Sequence, residues 1–197
     1  TDMGQTTDIS ERMPQLTDSL KNLKEVWLVD VKPQTNIEDN RPFPLGDPDF
    51  VYTQLPARDG MPHGKIERSN RFPNSSFFTN WKNLGDSITW DVDVLAEGDF
   101  EVDLYYTAKE TDLGARFELY MGKERLEGEV TEAHDPPLVG KERDRDPRQE
   151  SYTKDFVPMH LGKIHLEKGK GNLTLKASKI PGEGVMDVRL LMFKRIK

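Results

Sequence analysis

Ser87–Tyr106 reads SITWDVDVLAEGDFEVDLYY, and the order of polar and apolar residues in it decides the fold. Ile88, Trp90, Val92 and Val94 fall on one side of an extended chain, while Ser87, Thr89, Asp91 and Asp93 fall on the other. A period of two marks a strand with one face in a core and one in water. "AEGD" supplies turn residues, and Phe100, Val102, Leu104 and Tyr106 then resume the alternation, so the stretch predicts a β-hairpin.

Runs of similar character recur downstream at 115–121, 126–130, 160–166, 172–177 and 187–194, with a glycine-rich turn "EKGKGN" between two of them. Shorter strands are expected at 50–55 and 77–81. Many short strands with no second helical pattern predict a mainly β protein, an antiparallel β-sandwich of the jelly-roll type. Upstream the period changes. Leu16, Leu20, Leu23 and Trp27 recur at steps of four, three and four, the spacing of one helix face, and Pro14 suits a first helical turn. The spacing predicts one N-terminal α-helix, about Pro14 to Glu25. Prolines 33, 42, 44 and 48 in "VKPQTNIEDNRPFPLGDPDF" then predict a Pro-rich linker that hugs a surface or stays mobile. The expected organisation is 1–31 helical segment, 32–49 linker and 50–197 sandwich.

A chain of 197 residues is long enough to bury a sizeable core. Its net charge of −7 is mixed along the sequence, which disfavours a nucleic-acid partner. With no cysteine, disulfides, Cys zinc sites and thiol nucleophiles are excluded. No apolar run approaches the ~20 residues of a membrane span, so no membrane partner is expected. The opening "TDMGQTTD" has no signal-peptide character, which fits a cytosolic chain or one whose start has been removed.

A sugar-binding sandwich needs an aromatic face to stack on a pyranose ring and polar side chains beside it. Trp81 next to Asn80 supplies that pair, unless Trp81 plugs the core at a strand end. "LPARDGMPHG" carries Arg58, Asp59 and His63; Arg58 suits a carboxylate or sulfate, or else a turn network with Asp59. "TEAHDPPLVGKERDRDPRQESYTKDF", from Thr131 to Phe156, alternates Arg143, Arg145 and Arg148 with acids, as solvated segments do. Yet Pro136, Pro137 and Pro147 stiffen it, and His134, Asp135 and Tyr152 stand at its shoulders. Long loops in compact domains are seldom idle, so it is expected to be ordered, docking on the sandwich or on a partner domain, or binding ligand. His160 and His165, five apart, should face opposite sides of one strand. Asp91, Asp93 and Asp103, on what read as neighbouring strands, are compatible with a structural calcium; a solvated face is the alternative. No other cofactor is expected in this chain, and no catalytic or metal residue is assigned.

Two stretches carry a resemblance. "GQTTDISERMPQLTDSLKNLKEVW" resembles the last helix of sulfatase catalytic domains, which commonly end in D-P-x-E-x-x-N-L-A, then a Pro, a Leu-spaced helix and a Trp. Gly4, Gln5, Thr6, Asp8, Ile9, Pro14, Leu16, Leu20 and Trp27 occupy that pattern, although the D-P pair is missing. The remainder, with "LPARDGMPHG" and "SSFFTNWKNLGDSITWDVDV", is similar to the galactose-binding-like jelly roll appended to some bacterial sulfatases. Sulfatases act through a formylglycine made in C/S-x-P-x-R; here there is no Cys, and no Ser is followed two residues on by Pro. The resemblance therefore implies the non-catalytic C-terminal part of a periplasmic or secreted sulfatase. Its partners would be the catalytic domain of the parent chain and a glycan; the alternative is a structural buttress or oligomerisation module that binds no sugar.

Overall fold

The computed structural model describes residues 3–4, 6–35, 40–72, 74–146, 148 and 152–196. The chain forms two compact units, Thr1–Arg41 and Pro42–Lys197.

The first unit is built on helix α1 (Pro14–Thr35), which runs on past the expected end at Glu25. Its entry is set locally. Asp8 Oδ1 accepts the Ser10 N–H at 2.8 Å, and the Ile9 carbonyl accepts the N–H groups of Arg12 and Met13 at 3.0 and 3.1 Å. Pro14, which has no N–H to satisfy, starts the helix at no cost. Leu16, Leu20, Leu23 and Trp27 form the expected stripe, and all four are exposed. Residues 36–39 of the expected linker lie outside the described residues.

The second unit is a two-sheet sandwich. Among the described residues its strands are β1 (Phe43–Leu45), β2 (Tyr52–Pro56), β3 (Met61–His63), β4 (Glu67–Arg68), β5 (Phe78–Thr79) and β6 (Ser87–Val94). They continue with β7 (Gly98–Thr107), β8 (Arg116–Met121), β9 (Glu124–Glu129), β10 (Val157–Leu166), β11 (Gly169–Lys179) and β12 (Asp187–Arg195). One sheet has the order β1-β6-β11-β8-β9 with β3 also on β6; the other has β10-β7-β12-β5-β4 with β2 on β12. The β1–β6 pair is parallel, the others antiparallel. The jelly-roll sandwich predicted from the alternation is the fold observed. It begins at Phe43, within the expected linker.

The faces of Ser87–Tyr106 are as expected, but their partnership is not. β6 and β7 lie in opposite sheets, so their connection is a crossing and not a hairpin. Ile88, Trp90, Val92 and Val94 meet Phe100, Val102, Leu104 and Tyr106 in one shared core. Phe78 packs edge-on to Trp90 at 6.4 Å, and Phe100 to Phe193 at 6.2 Å. Each such buried ring contributes about 1.5–3 kcal/mol relative to leaving it in water. Trp90 Nε1 donates to the Pro56 carbonyl at 3.1 Å, which satisfies the one polar atom of the largest fully buried side chain.

Two further expectations change. A bulge between His160 and Gly162 shifts the register of β10, so His160 and His165 lie on the same exposed face. There they pair with Asp103 at 2.9 Å and Asp99 at 2.8 Å on β7. The calcium cluster is also lost as a unit, because Asp91 and Asp93 lie in one sheet and Asp103 in the other. Asp91 accepts from Asn172 Nδ2 at 2.9 Å instead. Among the described residues no three His, Asp or Glu side chains gather closely enough to hold a metal ion.

Candidate functional site

Strands β7, β12 and β5 are neighbours in one sheet, and at one end of it the chain leaves β5 and β7 and enters β12. The segments that meet there enclose a cavity of about 240 Å³. Its wall comes from Thr79–Lys82, from Thr107–Lys109 with Asp112, from Glu183–Asp187, and from Asp135 and Lys154 of the long segment.

Local backbone rules place these groups. Asn80 holds φ +60°, a region its short amide tolerates better than most side chains, and Nδ2 donates to the Lys65 carbonyl at 2.9 Å. The Trp81 carbonyl accepts the Val185 N–H at 2.9 Å, tying the two walls together. Val185 follows Gly184, where a Cβ would stand 3.1 Å from that same carbonyl.

The 131–156 segment is a folded arm. His134 exchanges both backbone hydrogen bonds with Ala108 at 2.8 Å, and its Nε2 donates to the Asp155 carbonyl at 2.7 Å. Tyr106 donates its hydroxyl to the Glu132 carbonyl at 3.0 Å; burial, then the Glu132 charge, pushes that phenol above its ordinary pKa. Val139 N–H donates to Thr153 at 2.8 Å, drawing the two limbs together. At the crown Asp144 takes Arg148 Nε and Nη2 at 2.9 Å each and the Tyr152 hydroxyl at 3.0 Å; the Arg148 bond, ahead of Tyr152, holds its carboxyl below the usual range. Phe156 packs edge-on to Phe77 at 5.3 Å as the arm rejoins the body.

Lys154 fastens arm to sheet. Its ammonium lies 2.9 Å from Asp135 and 2.9 Å from Asp187, and Asp187 also takes the Thr107 hydroxyl at 3.3 Å. Burial works against the Lys154 charge, but the hydrogen bonds to Asp135 and Asp187 outweigh it and hold its pKa above the ordinary lysine value. The same ammonium keeps the Asp135 carboxyl below its ordinary value. A charge set between two carboxylates in a half-buried site fixes geometry more than it adds stability.

Of the residues singled out from sequence, Asn80, Trp81 and Asp135 line the cavity. Trp81 is not a stacking platform: it is 2% exposed, because its indole is sunk into the core beneath the cavity, and its Nε1 has no hydrogen-bond partner among the described residues. His134, Arg148 and Tyr152 hold the arm in shape, and Arg145 is exposed at its crown. The Arg143 side chain lies outside the described residues. Arg58 and Asp59 form the turn pair, 3.7 Å apart, in a one-turn helix away from the cavity wall, and His63 is bonded to Thr89 Oγ1 at 2.8 Å on the opposite sheet. Lys154, Asp187 and Asp112 were not singled out. In the sequence Asp187 is only the first residue of an expected strand.

No family model matches this chain, and no curated protein matches it. Solved structures do. The C-terminal family 6 carbohydrate-binding module of a marine laminarinase from Zobellia galactanivorans superposes with a TM-score of 0.50 at 9% identity, over 73% of this chain and 99% of that one. The larvicidal Cry4Aa toxin of Bacillus thuringiensis gives 0.50 at 13%, over 74% of this chain and 24% of the toxin. A GH26-CBM35 mannanase from Podospora anserina gives 0.49 at 10%, over 75% of this chain, which spans 28% of that enzyme's length. The likeness is one of fold. That a sugar-binding module and a toxin both share it leaves the chemistry to the site itself.

Proposed function

We propose that the sandwich is a non-catalytic glycan-binding module whose ligand enters the cavity between the arm and the 79–82 and 183–187 segments. The observation that carries the reading is the cavity wall, where ionised and hydroxyl side chains converge around a space held rigid by the Lys154 bridge. At about 240 Å³ it lies below the ~300–1,000 Å³ of drug-sized pockets and suits one sugar unit. With Trp81 buried, recognition rests on hydrogen bonds to hydroxyls and not on stacking. The finer context is part of the same proposal: a secreted or periplasmic sulfatase parent, onto whose catalytic body α1 lays its Leu16-Leu20-Leu23-Trp27 stripe. The residues that resemble the end of a sulfatase domain support this, as does the apolar stripe itself. The helical segment of this proposal runs through α1 to Thr35 and its sandwich begins at Phe43, in place of limits at 31 and 50.

A second reading, a buttress or assembly module, is favoured by Leu138 and Val139, which stand exposed on the arm. Amide-shift mapping of the labelled chain against a glycan panel separates the two. Shifts confined to 79–82, 107–112 and 183–187 are expected; no shift with any glycan, or shifts elsewhere, would sink the glycan reading and leave the buttress.

A further inference from the structure

One recessed carboxylate in the cavity wall has little hydrogen bonding from the protein itself. Lys154 is matched by Asp135 and Asp187, while Lys82, Lys109 and Glu183 are exposed at the rim in water. Asp112 is different. It is 7% exposed, it lines the cavity, and among the described residues its side chain accepts a single hydrogen bond, from the Thr111 hydroxyl at 3.3 Å. Lys109, three residues earlier, makes no ion pair with it within 4.0 Å among the described residues. A carboxylate offers about four lone-pair sites, so Asp112 keeps acceptor capacity on the cavity wall for a ligand.

Gly184 puts no side chain beside the Asp112 carboxylate. A Cβ there would stand 3.8 Å from each Asp112 carboxylate oxygen. A metal ion is a poor match for that space, since no three metal-ligating side chains gather in the described residues. An ammonium suits it: three donors and one full positive charge, small enough to reach a single recessed carboxylate.

From this geometry, and resting on the glycan reading above, we infer that the cavity selects a sugar unit bearing a free amine, a hexosamine, whose ammonium pairs with Asp112. Calorimetric titration of the full chain with a β-1,4-linked glucosamine tetramer, its fully N-acetylated form and cellotetraose tests it. These three differ at the 2-position alone, carrying an ammonium, an acetamide and a hydroxyl. The free amine should bind at least tenfold tighter than either neutral form, and Asp112→Asn should remove that preference. Equal affinity for the three, or a preference for a neutral form, overturns the amine and keeps the glycan reading. No binding by any of a wider glycan panel overturns both. The wild-type comparison decides even where Asp112→Asn fails to fold.

Discussion

Two chain reversals in this molecule use similar material and end differently. Between β8 and β9 the chain turns on Gly122-Lys123, and the two strands pair in one sheet from Arg116↔Glu129 to Met121↔Glu124. Between β6 and β7 it turns on Leu95-Ala96-Glu97, and the strands part into opposite sheets. The short hairpin carries its instruction locally: Gly122 at φ +61° supplies the positive angle that a two-residue turn demands. The crossing is held from far away. Arg195, in the last strand, donates to the Glu97 carbonyl at 3.1 Å, to the Ala96 carbonyl at 2.8 Å and to the Gly46 carbonyl, and stacks over Phe100 at 4.7 Å. Alternation thus says which side chains face the core; it does not say in which sheet a strand will lie.

The comparison breaks first at Arg195. Arg195→Met keeps much of the stem but removes a planar fork that serves three carbonyls, and should cost about 3 kcal/mol in chemical denaturation. Arg195→Lys should recover little, since a single ammonium cannot span them. A loss below about 1 kcal/mol would mean that core packing alone holds the crossing. The hairpin is sharpened next. A Cβ at residue 122 meets nothing within 4 Å, so Gly122→Val should cost chiefly what the backbone angle imposes, about 1–2 kcal/mol, and Gly122→Asn should cost less. If Gly122→Val is silent, the turn does not depend on its positive angle. Weaker again are the cross-strand ion pairs of that hairpin, Arg116–Glu129 at 2.7 Å and Arg125–Glu118 at 3.4 Å. Both are exposed, so Arg116→Ala should lower stability by about 0.5 kcal/mol or less, and added salt should abolish the difference.

What was legible in the sequence follows the same division. Local periodicity gave the helix stripe, the faces of β6 and β7, and the strands near 116–121, 157–166 and 187–195. The helix end was misjudged because nothing near Glu25 stops a helix, and β1 was hidden in a Pro-rich stretch whose Phe43 to Leu45 pair only with a distant strand. The two-residue strands leave no periodic trace at all. The site was less legible for a physical reason. Thr79, Thr107 and Asp187 are brought together by the strand order β7-β12-β5, which depends on crossings that alternation does not encode. Trp81 illustrates the opposite error: an aromatic beside amide and amine groups looks like a platform, but a core accepts the indole and leaves only its backbone and neighbours to the cavity.

The smallest effect lies on β7 itself, where the strand that leaves the crossing meets β10. His165 Nδ1 sits 2.8 Å from Asp99 Oδ1, and Lys163 lies 2.7 Å from the other Asp99 oxygen. The Asp99 bond, ahead of the Glu97 charge, raises the His165 pKa above its ordinary value; Lys163, then His165, lowers that of Asp99. A raised imidazole contributes stability that is fully present below its unfolded pKa of about 6.5 and fades as pH rises through the folded value. A lowered carboxyl contributes above its unfolded value, about 3.9, and that contribution fades as pH falls through the folded one. The pair is therefore strongest between those limits. The melting-temperature difference between wild type and His165→Gln should be largest near pH ~5–6 and vanish by about pH 8. A difference that is flat with pH would mean that the bulge at Leu161 sets the register of β10 without help from the imidazole, and that this strand pair, like the crossing before it, is held by backbone geometry and the core.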